Sequence, residues 1–350
     1  MTNWEENVLR VEPYTPGEQP KDAKIIKLNT NENPYPPSSK VEEVIRSFHV
    51  DELRKYPDPR VTDLIDALSA TYHMPADQIF VGVGSDDVLA LSFLTFFHGK
   101  KPVLFPDITY SFYKVWANVF EISYETKALD ENFLIRTEDY FGENGGIIIP
   151  NPNAPTGVLH PLEEIEEIVH RNPSSVVIID EAYGDFAGVS ALPLVEKYDN
   201  LLVVMTFSKS RSLAGSRIGF AFGSKKLISY LNDVKYSFNS YTMDRLTIQI
   251  GKAALEDETY FKKCVDEIIA TREWTKKELA RLGFTFPDAK TNFIFATHAS
   301  KPAAEIFEYL KSKHIYVRYF NSPRIDNYLR ISIGTREEME QLIKELEAYL

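Results

Sequence analysis

The chain has 350 residues, a length that suggests two domains rather than one core, and its 44% hydrophobic and 26% charged composition suits soluble, layered structure. A net charge of −12 argues against a nucleic-acid or anionic-membrane partner, although it leaves room for a local cationic cleft. The only cysteine is Cys264, so no intrachain disulfide can form, and no Cys/His cluster has zinc-ligand spacing; no metal is expected.

The start, MTNWEENVLR, is acidic and lacks an apolar centre, so no signal peptide is expected, and no apolar run reaches membrane-spanning length. The expected location is the cytoplasm. Residues 1–40 are rich in Pro and Asn and read as an extended arm. Helical spacing follows at 41–48 and 61–72. A β-rich run at 79–83 ends in glycines, and a helix is expected over 86–97 with Ser85 as its N-cap. Residues 102–105 and 121–124 read as strands with a helix at 113–117 between them. Three clearer strands follow at 146–149, 175–179 and 201–205. Their continuous apolar character, with helices such as 163–170 between them, predicts a mostly parallel sheet covered on both faces, over a large domain of residues 41–240. Residues 241–350 read as a smaller α+β domain. It has a long helical stretch at 244–282, strands at 292–296, 315–319 and 329–333, and helices at 303–313 and at the end, the last opened by a Thr335/Glu338 capping box.

In parallel sheets ligands bind beyond the carboxyl ends of the strands. Polar residues stand at three of those ends: Asn151 and Asn153, then Asp180 and Tyr183, then Ser208 and Lys209. A lysine there can lose part of its ammonium hydration and attack an aldehyde. A carboxylate such as Asp180 can face a cationic pyridinium nitrogen, and Tyr183 can hydrogen-bond a ring oxygen. Gly84, Ser85 and Asp86, at a strand-to-helix turn, offer free backbone N–H groups to a phosphate, with Ser208 and Arg217 as further donors. The turn from Asn151 to Gly157 can hold an asparagine against a ligand oxygen. Each feature alone has an ordinary reading, as a cap, a turn or a surface charge. Their value lies in their combination: phosphate cradle, aromatic, amide, carboxylate, lysine and arginine at consecutive strand ends.

This set resembles the fold-type I pyridoxal-phosphate aminotransferases of class I/II, and within them the histidinol-phosphate subfamily. The motifs that carry the resemblance are Tyr14-Thr15-Pro16-Gly17, the run from Leu28 to Pro34, Lys55-Tyr56-Pro57-Asp58, Ser208 to Phe220, and Leu329 to Thr335. The resemblance implies an α/β fold and pyridoxal 5'-phosphate as cofactor, with Lys209 as Schiff base and proton shuttle. Asp180 would pair with the pyridine nitrogen and Tyr183 with the ring 3-oxygen. Gly84, Ser85, Asp86, Ser208 and Arg217 would surround the phosphate, and Tyr110 would stack on the ring. Tyr56 would reach the partner subunit's cofactor, which implies a homodimer. The arm, residues 1–40, would be part of the small domain and a substrate lid. Tyr14, Asn31, Arg318 and Arg330 would bind an amino donor and a keto acid, with Arg330 on the carboxylate of one substrate and the phosphate of the other, and Tyr14 and Arg318 adding to the phosphate. The implied reaction takes histidinol phosphate and 2-oxoglutarate to imidazole-acetol phosphate and glutamate. Aromatic amino-acid transamination and decarboxylation of a phosphorylated amino acid are the alternatives. One departure stands out. The family places asparagine directly before Pro-Thr-Gly, where this chain has Ala154, and Asn153 is the neighbouring amide that could serve the cofactor instead.

Overall fold

The structure is a computed structural model, and it describes residues 4–14, 17–20 and 25–350. Thr15 and Pro16 of the arm motif lie outside the described residues. A two-residue strand, β1 (Ile26–Lys27), ends the arm and is followed by helices α1 (Ser39–Ser47) and α2 (Thr62–Tyr72). Strands β2 (Ile79–Gly82), β3 (Val103–Pro106), β4 (Tyr124–Lys127), β5 (Gly146–Pro150), β6 (Val177–Asp180), β7 (Leu201–Thr206) and β8 (Gly219–Gly223) form one sheet, in the order β2-β8-β7-β6-β5-β3-β4. Helices α3 (Ser85–Phe96), α4 (Phe112–Val119), α5 (Leu162–Arg171), α6 (Lys225–Phe238) and α7 (Arg245–Leu255) cover it.

The apolar strands are continuous because each feeds two cores. Ile147, Ile149, Val177, Ile179 and Val203 pack with Ile165 of α5 and Ile248 of α7 on one face. Ile148, Ile178, Leu202 and Val204 pack with Leu89 of α3, Trp116 of α4 and Leu231 of α6 on the other. Strands β3 to β7 are parallel, as expected. β8 is antiparallel to both β2 and β7, so the sheet is mixed. That strand and α6 have no counterpart in the sequence expectations, since two glycines in five residues weaken the β signal. Gly219 is required by its neighbour: a Cβ there would lie 2.2 Å from the carbonyl carbon of Gly84.

Other expected boundaries move for local reasons. Ser85 is the first helical residue of α3 rather than its cap, and Gly84 (φ +89°) takes the cap position. β4 starts three residues late, because Glu121 adopts a left-handed φ of 54° after α4. The helical stretch at 244–282 is two helices, α7 and α8 (Glu258–Arg281), each opened by an aspartate: Asp244 accepts from Thr247 N and Asp257 from Tyr260 N. α7 contributes Ile248, Ile250, Ala253 and Leu255 to the core with Leu64 and Leu68, so that core runs past the expected junction at residue 241.

The second layer has strands β9 (Phe284–Thr285), β10 (Phe293–His298), β11 (Ile315–Tyr316), β12 (Arg318–Tyr319) and β13 (Leu329–Ser332), with α8, α9 (Ala303–Ser312) and α10 (Arg336–Tyr349). Four of them form an antiparallel sheet in the order β12-β13-β10-β9. The strand expected at 315–319 divides at Val317, because β11 pairs in parallel with β1 while β12 pairs with β13. The β1–β11 pairing ties the arm to this layer, and Leu28 joins its core. The Thr335/Glu338 capping box forms with both of its hydrogen bonds.

Candidate functional site

The parallel register sets the site. Pro150 pairs with Asp180, and Asp180 with Val204, so the last residues of β5, β6 and β7 lie along one edge. Beyond that edge lies a cavity of about 190 Å³, bordered by Ser85, Tyr110, Asp180, Tyr183, Lys209 and Arg217 among others.

Asp180 ends β6 with almost no solvent contact. Its carboxylate accepts hydrogen bonds from the Tyr113 hydroxyl at 2.7 Å and from the Ala182 amide at 3.1 Å. Burial pushes its carboxyl up to about 6, against the pull of those two donors. Lys209 follows β7 by three residues. Its ammonium donates to the Thr30 carbonyl at 3.1 Å and sits 5.9 Å from the centre of the Tyr183 ring. Thr206 and Ser208 are buried, with 3.0 Å between their hydroxyls.

The other end of the cavity suits an anion. Ser85 and Asp86 open α3, whose first N–H groups have no acceptor within the helix. Arg217 has a left-handed backbone (φ 54°) and brings its guanidinium within 3.5 Å of the Ser208 hydroxyl. It also pairs with Asp86 at 3.1 Å, and Asp86 accepts from the Tyr110 hydroxyl at 2.8 Å. A Cβ on Gly84 would lie 2.4 Å from Arg217, so a side chain there would fill this cradle.

The residues present fit pyridoxal phosphate. The helix start, Ser208 and Arg217 match its phosphate, Asp180 matches a cationic ring nitrogen, and the Lys209 amine borders the same cavity. Asn153 does not join them. It is fully buried, with its amide donating to Ile108 O and Thr156 Oγ1 (both 3.0 Å) and accepting from Thr109. Ala154 borders the cavity instead. In this structure the Asn153 side chain is engaged with Ile108, Thr109 and Thr156 rather than bordering the cavity.

A second group lies toward the small layer. Arg318 and Arg330 are register partners on β12 and β13. Arg330 lies between the rings of Phe293 and Phe320, donates to Asn29 O at 3.1 Å, and has a buried Nε with no hydrogen-bond partner. Burial, with Arg318 nearby, pulls its guanidinium below the usual range. Two adjacent cations and an unused donor suit an anionic substrate group. Tyr14 packs at a 30° tilt on Phe112, with ring centres 4.3 Å apart, and Phe112 in turn packs against Tyr110. Asn31 donates its side-chain amide to the Tyr183 hydroxyl at 2.9 Å. Tyr56 does not border this cavity; it is 77% exposed and packs on Tyr241.

Sequence reasoning missed Tyr113, Thr30, Glu32 and Thr206. Tyr113 lies one helical turn after Tyr110, a spacing that could have flagged it. Glu32 borders the cavity; burial raises its carboxyl, but the hydrogen bonds from Lys27 and Thr30 outweigh it and bring the carboxyl below the usual range.

The sequence profile of the family described as aminotransferase class I and II matches residues 23–346. A histidinol-phosphate aminotransferase of Lactococcus lactis subsp. cremoris is 53% identical over 348 residues, covering 99% of this chain and 98% of that protein. One from Clostridium beijerinckii is 51% identical over 347 residues, covering 99% and 97%. Among solved structures, the histidinol-phosphate aminotransferase of Sinorhizobium meliloti in complex with pyridoxal-5'-phosphate aligns with a TM-score of 0.84 at 24% identity, covering 93% of this chain and 92% of that one.

Proposed function

We propose that this chain, which belongs to the class I and II aminotransferase family, uses pyridoxal phosphate to exchange amino groups between histidinol phosphate and 2-oxoglutarate, giving imidazole-acetol phosphate and glutamate. The convergence of Lys209, Asp180 and Arg217 on one cavity carries the reading of the chemistry. The 53% identical relative, matched over nearly its whole length, supports the substrate.

Bound pyridoxal phosphate supplies an electron-withdrawing ring that stabilises negative charge at the substrate α-carbon. The chain's residues do the rest. The Lys209 amine removes the α-proton and holds it for return. Asp180, dry and fixed by Tyr113 and Ala182, keeps a proton on the ring nitrogen through its charge. Tyr183 donates to the ring oxygen, and Tyr110 covers the ring. The α3 N-terminus, Ser85, Ser208 and Arg217 grip the phosphate. Arg330 takes the substrate carboxylate, while Arg318 and Tyr14 add to it for the substrate phosphate. The active unit is a homodimer in which Tyr56 reaches the partner's phosphate site. The exposure of Tyr56, Tyr241 and Phe238 supports a covered face there. The enzyme works in the cytoplasm; among the described residues no helix is long and apolar enough to cross a membrane.

The test is a comparison of amino donors. Histidinol phosphate should exceed phenylalanine in kcat/KM by at least about tenfold, the worth of one charge-assisted hydrogen bond. Equal turnover of the two would sink the substrate assignment while leaving the cofactor chemistry standing.

A further inference from the structure

The hydroxyl of Tyr183 has a defined donor. Asn31, held at a left-handed φ of 57°, donates its side-chain amide to that oxygen at 2.9 Å. Three bonds fix Asn31. Its Oδ1 accepts from the Ser332 hydroxyl at 2.9 Å, its backbone N–H donates to the same hydroxyl at 2.9 Å, and its carbonyl accepts from the Asn292 amide at 3.0 Å. With the Ser332 proton on Asn31 Oδ1, the amide Nδ2 of Asn31 faces Tyr183. The Tyr183 oxygen is an acceptor toward Asn31, and its own proton is free for another acceptor. The edge of Phe293, with ring centres 5.0 Å apart, holds the Tyr183 ring in place.

The turn at residues 151–157 provides no competing amide. Ala154 turns only a methyl group toward the cavity, and the Asn153 amide is used on Ile108 and Thr156. We propose that Asn31 is a positioning residue for the cofactor-facing hydroxyl of Tyr183. In this chain it provides, through that hydroxyl, the polarisation of the ring oxygen that an amide at position 154 would give directly. Because Ser332 ends β13 and Asn292 immediately precedes β10, this polarisation is set by the same layer that carries Arg330. The inference rests on the reading of the cavity as a pyridoxal-phosphate site.

A donor at the ring oxygen lowers the proton affinity of the conjugated ring system, so weakening it raises the pH midpoint of the visible absorption. The experiment titrates that absorption in the cofactor-loaded protein. Asn31→Ala should raise the midpoint by about one pH unit, the size of one hydrogen bond. Ser332→Ala should move it the same way by less, and carries the test if Asn31→Ala does not fold. In a Tyr183→Phe background, Asn31→Ala should add nothing. An unchanged midpoint with a lowered melting temperature would make Asn31 merely structural and overturn the proposal. A full extra shift in the Tyr183→Phe background would also overturn it, because Asn31 would then act without Tyr183. Wild-type protein that develops no visible band with pyridoxal phosphate would instead overturn the cofactor reading itself.

Discussion

The hydroxyl of Tyr113 donates to Asp180 Oδ2 across 2.7 Å, inside a core where the Tyr113 ring has no solvent contact. The tyrosine is wedged among Phe93, Phe105 and Trp116, so its oxygen cannot swing away from the carboxylate. A hydrogen bond to a charged group in this setting contributes about 1.5–3 kcal/mol. Tyr113→Phe keeps the ring packing and removes the donor. It should weaken pyridoxal-phosphate binding by roughly tenfold or more, because the bond helps to keep Asp180 ionised opposite the ring nitrogen. Cofactor fluorescence titration reads this directly. Unchanged affinity would mean that the Ala182 amide alone holds the carboxylate.

Asp180 also predicts a pH dependence. Burial raises its carboxyl from the ordinary range to about 6. A carboxyl whose folded pKa lies above its unfolded one stabilises the fold below the unfolded value, and that contribution is lost as pH rises through the folded one. Cofactor-free protein should therefore lose on the order of 2–3 kcal/mol from this group between about pH 4 and pH 6. Asp180→Asn should remove the loss, so the stability of the variant relative to wild type should rise across that window. Glu181, pushed up to about 8 mainly by its own burial and in small part by the Asp180 charge, titrates above this window in both proteins. Denaturant unfolding at several pH values checks it; a difference that stays flat would show that Asp180 is not raised.

Much of this site was legible because strand ends in a parallel sheet are where the chain must leave a buried layer. Four apolar residues running into Asp180, or five into Thr206, announce both the strand and the polar group beyond it. What escaped depended on long-range contacts. β8 is weak in β signal because of its two glycines, yet Gly219 is demanded by the close approach of Gly84, 135 positions away in the chain. Tyr113 and Asp180 are separated by 67 residues, and neither local pattern indicates the bond. The Asn153 side chain was expected in the cavity by its proximity to Ala154. Alternation along the turn sends the two side chains to different places, and only Ala154 reaches the open space. The break at Val317 likewise reflects two different pairing partners, which no hydrophobic pattern encodes.

The paired arginines should separate by substrate. Arg330→Ala removes the cation beside the unused buried donor, and should raise KM about 10- to 100-fold for both glutamate and histidinol phosphate. Arg318→Ala should raise KM for histidinol phosphate while leaving glutamate within about threefold, since its proposed role is on the phosphate alone. Steady-state kinetics with each substrate varied in turn decides it. Equal effects of Arg318→Ala on both would place that arginine on the glutamate carboxylate as well as on the phosphate.

The dimer and the source of Tyr56 are tested together by mixing two defective chains. Lys209→Ala lacks the reacting amine, and should lose activity by roughly a thousandfold or more, in the range of a missing general base. Tyr56→Ala lacks a residue that, in its own chain, packs on Tyr241 outside the cavity and holds Arg245 through its carbonyl at 2.8 Å. In a mixed dimer, the site containing the intact Lys209 takes its Tyr56 from the Lys209→Ala chain. That site is complete, and the other lacks both residues. Random pairing of co-expressed chains makes half of the dimers mixed, each with one working site, so about a quarter of wild-type activity should return. If Tyr56 instead served its own chain, every site in the mixture would lack one residue or the other, and activity would stay at the level of the separate variants. A mixture that elutes as monomer would remove the dimer altogether, and with it any role for Tyr56 across an interface.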